Sequence, residues 1–223
     1  ARALARDGDL ALLFPRLLAE AGADRARIAV LAGGAGRLAS DLRAAARGRV
    51  MEAADPLSIP IGDGEADLIA CEHLLSWHPD PAAVVREFRR ALSPGGRVLV
   101  AAEPDYHGAI EHPPAAAVLG LLAGVLRKRG AETEMGRRLP SLFASGEWSA
   151  SVILHSQGPI PGPAGEALEG MIAEVRASLS GAIPEAVLGR WEKEARAASG
   201  RGSLFLHLPH VALVATRLHG GRA

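Results

Sequence analysis

The stretch RIAVLAGGAGRLASDL, residues 27–42, decides how the rest of the chain is read. An apolar run from Ile28 to Ala32 meets the glycines Gly33, Gly34 and Gly36, and a helical pattern follows at Leu38 and Leu42. A buried strand, a glycine turn and a helix form the local arrangement that cradles a nucleotide-like ligand, because a turn without Cβ lets the backbone come close. Glycines at a strand–helix junction also serve plain packing, so this loop alone assigns no ligand.

Working outward, residues 3–21 read as an amphipathic helix with Leu10, Leu13, Phe14, Leu17 and Leu18 on one face. Helices are predicted over 38–46 and 81–92. The second opens on Asp80-Pro81 and is closed by the SPGG run at 93–96. Strands are predicted over 28–32, 49–54, 67–71 and 97–102. The order β-α-β-β-α-β points to a largely parallel sheet with helices on its faces. Parallel neighbours need a crossover of about a dozen residues or more. The interval from Gly36 to Asp55 holds a single one, so the strand at 49–54 is expected directly beside 28–32. Further on, helices are predicted over 114–129, 139–145, 165–180 and 184–199, and a strand over 151–155. The runs 204–208 and 211–216, separated by Pro209, read as a final strand pair or as one bent strand.

The 223 residues suffice for one α/β domain, and 48% of them are apolar, so a substantial core is expected. Aromatics make up only 4%, which leaves that core to Ala, Leu and Val. Acids and bases balance at 25 each, which argues against nucleic acid and against a charged membrane surface. No apolar run reaches the roughly 20 residues of a membrane helix. The first 20 residues lack the unbroken apolar centre of a signal peptide, and a trimmed start is expected because Met is absent there. The lone Cys71 excludes an internal disulfide and fits a reducing cytoplasm.

Order adds what the glycine loop lacks. GGAGRLASDL is followed by Asp55, Pro60, Asp63-Gly64, Asp67 and Ile69, and then by HPDP and EFRRALSPGGRVLV between His78 and Val100. This succession resembles class I S-adenosylmethionine-dependent methyltransferases of the small-molecule, ubiquinone-methylase-like type. AEPDYHGAIEHPP, GAETEMGRRLPSLF and the closing GSLFLHLPHVALVATR extend the resemblance over residues 20–218. It implies a Rossmann-like, mostly parallel sheet in a single domain spanning 1–223, with residues 112–200 as a helical acceptor lid over the C-terminal edge. It also implies S-adenosylmethionine as cofactor, a small-molecule acceptor, and Gly33, Gly34, Gly36 and Asp55 on the cofactor.

The departures matter as much. An acid that receives the methionine ammonium is implied at the end of the first strand, where Val30 stands, and Ala32 replaces the first glycine of the motif. A strand, a ribose-binding acid and a helix are implied between Gly36 and Asp55, where one βα unit is missing. A hydrogen bond to a charged group contributes about 1.5–3 kcal/mol, so losing two weakens binding by about 10²–10⁴-fold. Cofactor binding is therefore expected to be weakened or lost.

By the same resemblance, Glu72, His73 and His107 are candidate proton acceptors, and His78, Tyr106 and Arg137 candidate acceptor-side residues. The plainer reading of EHLLSW is a short helix whose Leu74, Leu75 and Trp77 pack inward. The His and carboxylates of EPDYHGAIEH invite a metal reading, but their spacing matches no compact ligand motif, so no metal is expected. Three functions stay open: methyl transfer, a non-catalytic methyltransferase-like subunit or scaffold, and a pocket turned to other chemistry. The second leaves a protein partner or a homo-oligomer as what the chain contacts.

Overall fold

The computed structural model describes residues 7–33, 36–157 and 165–219. Strand β1 (Ile28–Ala32) leads through the glycine turn into α2 (Arg37–Ala45), preceded by α1 (Asp7–Glu20). Strand β2 (Arg49–Ala53) then lies parallel beside β1, with Val30 opposite Met51. On the other side of β1 runs β3 (Ala66–Cys71), also parallel. Helix α3 (Pro81–Ala91) crosses over to β4 (Leu92–Pro104), parallel to β3. The chain closes with β7 (Phe205–Arg217), antiparallel to β4. On β7 lie β6 (Trp148–Gln157) and the short β5 (Ile110–His112), both antiparallel to it. The sheet order is β2-β1-β3-β4-β7-β5, with β6 also on β7.

The central strands are apolar along most of their length because both of their faces are covered. Val30 and Ala32 of β1, Ile69 and Cys71 of β3, and Val98 and Val100 of β4 pack with Val84, Val85 and Phe88 of α3 and with α5 (Met135–Leu142). The alternate residues Ala29, Leu31, Leu68, Ala70, Leu99 and Ala101 pack with Phe14, Leu17 and Leu18 of α1 and with Leu38 and Leu42 of α2.

These two clusters line the two faces of the sheet, and a second core, built on helices, stands apart from them. Helices α4 (Leu119–Lys128), α6 (Glu166–Leu179) and α7 (Glu185–Gly200) bury Leu122, Leu126, Val175, Leu179, Leu188 and Trp191 together with Leu204 and Leu208. The indole N–H of Trp191 donates to the Ala116 carbonyl at 3.0 Å. His210 lies opposite Pro104 at the end of β4, so the first residues of β7 run on past the C-terminal ends of the parallel strands. The second core is carried on that extension. The segment expected as a helical lid over 112–200 is interrupted, since β6 joins the sheet and α5 packs on it.

Several elements differ from their sequence-based bounds, and three of them show the local cause. The helix predicted from Pro114 begins at Leu119, because Glu111 Oε1 accepts the Val118 and Leu119 N–H groups at 2.6 and 2.9 Å and starts the helix there. The helix predicted from Leu139 begins at Met135; at Gly136 a Cβ would lie 2.9 Å from the Glu103 carbonyl. Strand β7 is one strand through Pro209, whose carbonyl accepts the Asp105 N–H at 3.0 Å. No described helix is long and apolar enough to cross a membrane.

Candidate functional site

Ligands of open parallel sheets sit beyond the C-terminal strand ends. At the end of β1, Gly33 has φ 66°, a left-handed conformation that favours glycine. Its N–H donates to the Ala53 carbonyl at 3.3 Å. A Cβ on Gly33 would lie 2.7 Å from Leu74 Cδ1, so the Leu74 side chain already fills the space beside the turn. Gly36 is extended and caps α2, while Gly34 lies outside the described residues. Val30 is fully buried among apolar neighbours. Asp55 stands exposed just past β2, with Oδ1 accepting the Leu57 N–H at 2.9 Å in a local turn. The other acid nearby, Glu52, is paired with Arg43.

At the end of β3 the sequence candidates Glu72 and His73 meet. His73 Nε2 is 3.6 Å from Glu72 Oε1, and His73 has a left-handed φ of 50°. Its N–H donates to the Ala102 carbonyl at 2.9 Å, which ties this turn to β4. The His73 ring stands edge-on to His210, with centroids 5.5 Å apart, and His210 stacks on His155 at 5.8 Å. Burial holds His73 down to about 4 and His210 down to about 3, and it lowers His155 as well. A general base works best with a pKa near the working pH, so His73 is a weak one in this setting.

Beneath the turn lies Glu103, fully buried. Its carboxylate accepts the N–H groups of Leu75 at 2.8 Å and Ser76 at 3.1 Å. Burial outweighs these bonds and pushes its pKa up to about 7. Glu103 thereby fixes the 3-10 turn Leu75–Trp77 and, with it, Leu74 against Gly33.

Of the remaining candidates, His107, Tyr106 and Arg137 gather around the 3-10 turn Tyr106–Gly108. His107 Nδ1 lies 2.5 Å from Glu134 Oε1, and its Nε2 lies 2.8 Å from Arg127 Nη2. Both ring nitrogens are engaged, so His107 links α4 to the start of α5 and has no nitrogen left for an acceptor's proton. Arg137 Nε donates to Asp105 Oδ2 at 2.9 Å. Tyr106 packs against the second core, and burial raises its hydroxyl to about 12. His78 Nδ1 accepts the Asp80 N–H at 3.1 Å, at the start of α3 and apart from the 105–107 group. Among the described residues no cluster of His, Cys, Asp and Glu could hold a metal ion.

His155 and His210 escaped the sequence reading, Leu74 entered it only as a residue packing inward, and Glu103 only through the metal question. A charged residue inside the run VLVAAEP is the one local signal for Glu103. The histidines come together only through the register of β6 on β7.

An open cavity of about 390 Å³ lies at the opposite, N-terminal edge, between α3 and the start of β4. Its arginines are engaged: Arg86 with Asp80, Arg89 with Glu147, Arg90 with Glu87 and Asp63, and Arg217 with the Leu92 carbonyl.

Sheet order, covering helices and the glycine turn at the C-terminal edge define a class I methyltransferase-like fold. The Methyltransferase domain family matches residues 18–100. No curated protein matches the chain in sequence. Among solved structures, the chain is similar to a Bacillus halodurans protein assigned as a methyltransferase, at TM-score 0.58 and 12% identity, over 92% of this chain and 99% of that one. It is similar to geranyl diphosphate C-methyltransferase of Streptomyces coelicolor, at TM-score 0.52 and 14% identity, over 95% of this chain and 80% of that one. The [4+2]-cyclase SpnF is a further neighbour, at TM-score 0.51 and 13% identity, over 94% of this chain and 81% of that one. One fold thus carries different chemistries, and the site has to be judged on its own residues.

Set against S-adenosylmethionine, the residues described here fit poorly. Val30 of β1 offers a buried apolar side chain and no acceptor, Glu52 is held by Arg43, and Leu74 occupies the space beside Gly33.

Proposed function

We propose that this chain is a methyltransferase-like domain whose cofactor cradle is closed, and that it serves as a non-catalytic subunit or scaffold. The observation that carries the reading is Leu74 seated against Gly33 above an apolar strand end. On this reading the sheet is shortened by one βα unit relative to small-molecule methyltransferases of the ubiquinone-methylase type. Helix α2 alone connects β1 to β2, and the ribose-binding acid went with the missing unit. The test is thermal unfolding and calorimetry with S-adenosylmethionine. A ligand at about 100 times its Kd stabilises a fold by about 2.7 kcal/mol. No shift in Tm and no binding heat at millimolar cofactor are expected. Saturable binding in the micromolar range would overturn the proposal.

A second reading, methyl transfer to a small-molecule acceptor, is favoured by one observation. Glu72 and His73 stand together at the C-terminal end of β3, where the resemblance implies the acceptor's proton is taken. It requires the turn carrying Leu74 to move off Gly33. Under this reading Leu74→Ala tightens cofactor binding, and Val30→Asp tightens it further by supplying the ammonium's partner. Under the first reading Val30→Asp only buries an unpaired carboxylate and lowers stability by about 1–3 kcal/mol, with no binding gained. Calorimetry on the two variants separates the readings.

A further inference from the structure

Strand β6 is the outer strand of its sheet, and among the described residues nothing pairs with its far side. The register from Trp148 opposite Arg217 to Gln157 opposite Leu208 runs unbroken. The Leu218 N–H donates to the Glu147 carbonyl at 2.8 Å, so residue 147 is a hydrogen-bonded position. In an antiparallel ladder such positions alternate. Residues 149, 151, 153 and 155 therefore bond to β7, and the N–H and C=O groups of Ala150, Val152 and Leu154 point to the open side. The same residues carry exposed side chains, Leu154 at 77%. Natural edge strands are blunted by charge, proline or bulges. The ten residues WSASVILHSQ have no Asp, Glu, Lys, Arg or Pro, and the one histidine, His155, is turned to the Ala101 carbonyl at 3.2 Å.

We propose that β6 is a self-association edge, and that a second copy of the chain adds its own β6 antiparallel about a two-fold axis. A strand edge is complementary to itself in that arrangement, since the same outward groups meet from both sides. An uncharged strand brings no like-charge repulsion to its copy, so charge does not oppose the pairing. Outward positions meet outward positions, which gathers Val152 and Leu154 of both copies on one face and covers their apolar surface. The inference is independent of the cofactor question.

Sedimentation velocity on the full chain across a micromolar concentration series tests it, together with amide exchange at each concentration. A monomer–dimer equilibrium is expected, with the amides of Ala150, Val152 and Leu154 slowing as dimer forms. Leu154→Lys should weaken association by about tenfold or more, since it sets like charges across the seam. Val152→Pro removes an outward N–H while sparing the bonds to β7, a position an edge strand tolerates, and it should act in the same direction. A monomer at every concentration overturns the proposal. So does a dimer in which these three amides exchange unchanged and which survives both substitutions.

Discussion

At the residue scale the most telling group is the histidine cluster of His73, His155 and His210. His210 is neutral in the fold and takes up a proton on unfolding below its ordinary value of 6.5. The unfolded chain then binds more protons than the fold, so this group's contribution is complete above pH 6.5 and is lost as pH falls toward 3. For one such histidine the loss reaches about 2 kcal/mol at pH 5. Glu103 acts in the opposite sense. Its pKa rises from 4.5 to about 7, so the fold holds the extra proton and this contribution declines as pH rises through that window. His210→Asn should therefore lower the Tm at pH 7.5, through lost ring packing, and shrink the drop between pH 7.5 and pH 5. A drop of unchanged size would show that the buried imidazole does not govern acid stability. His73 and Gly33 belong to the same scale, because each holds a left-handed backbone conformation within the turns that meet at the C-terminal edge.

At the scale of elements, the structure turns on how segments are started and latched. Helix α4 has no side-chain cap from its own N-cap residue, and the carboxylate of Glu111 supplies one from β5. Glu111→Ala should cost about 1–2 kcal/mol, as lost caps do, and speed amide exchange at Val118 and Leu119 ahead of the rest of the helix. An unchanged exchange rate there would remove Glu111 from that role. The 3-10 turn Leu75–Trp77 depends on Glu103 in the same way, and the latch reaches the cradle because Leu74 precedes the turn. The start of α4 was not legible locally: alanines and prolines from 113 to 117 suit a helix's first turn, and only the bond from Glu111 places it. Pro209 was equally ambiguous, since a proline within a strand depends on which neighbour lies on its N–H side.

At the scale of the whole molecule, two bodies of apolar packing share one chain. The sheet's two cores rest on β1, β3 and β4, while the second core rests on α4, α6 and α7. Trp191 is central to the latter, being buried and bonded to the Ala116 carbonyl. Trp191→Ala should cost about 3–5 kcal/mol and raise amide exchange in α4, α6 and α7 while β1, β3 and β4 stay protected. Uniform loss of protection would instead make the three cores one cooperative unit. Strand–turn–helix periodicity, the Asp80-Pro81 cap and the short interval from Gly36 to Asp55 made the parallel sheet and the neighbourhood of β1 and β2 readable from sequence, because each depends on residues close in the chain. What Leu74, Glu103, His107 and His210 do was decided by tertiary structure alone. The partners that define these roles lie 20 residues or more away, across strand registers and the join between sheet and second core. A side chain's chemistry follows from which group faces it, and that is settled only when the distant strands pack.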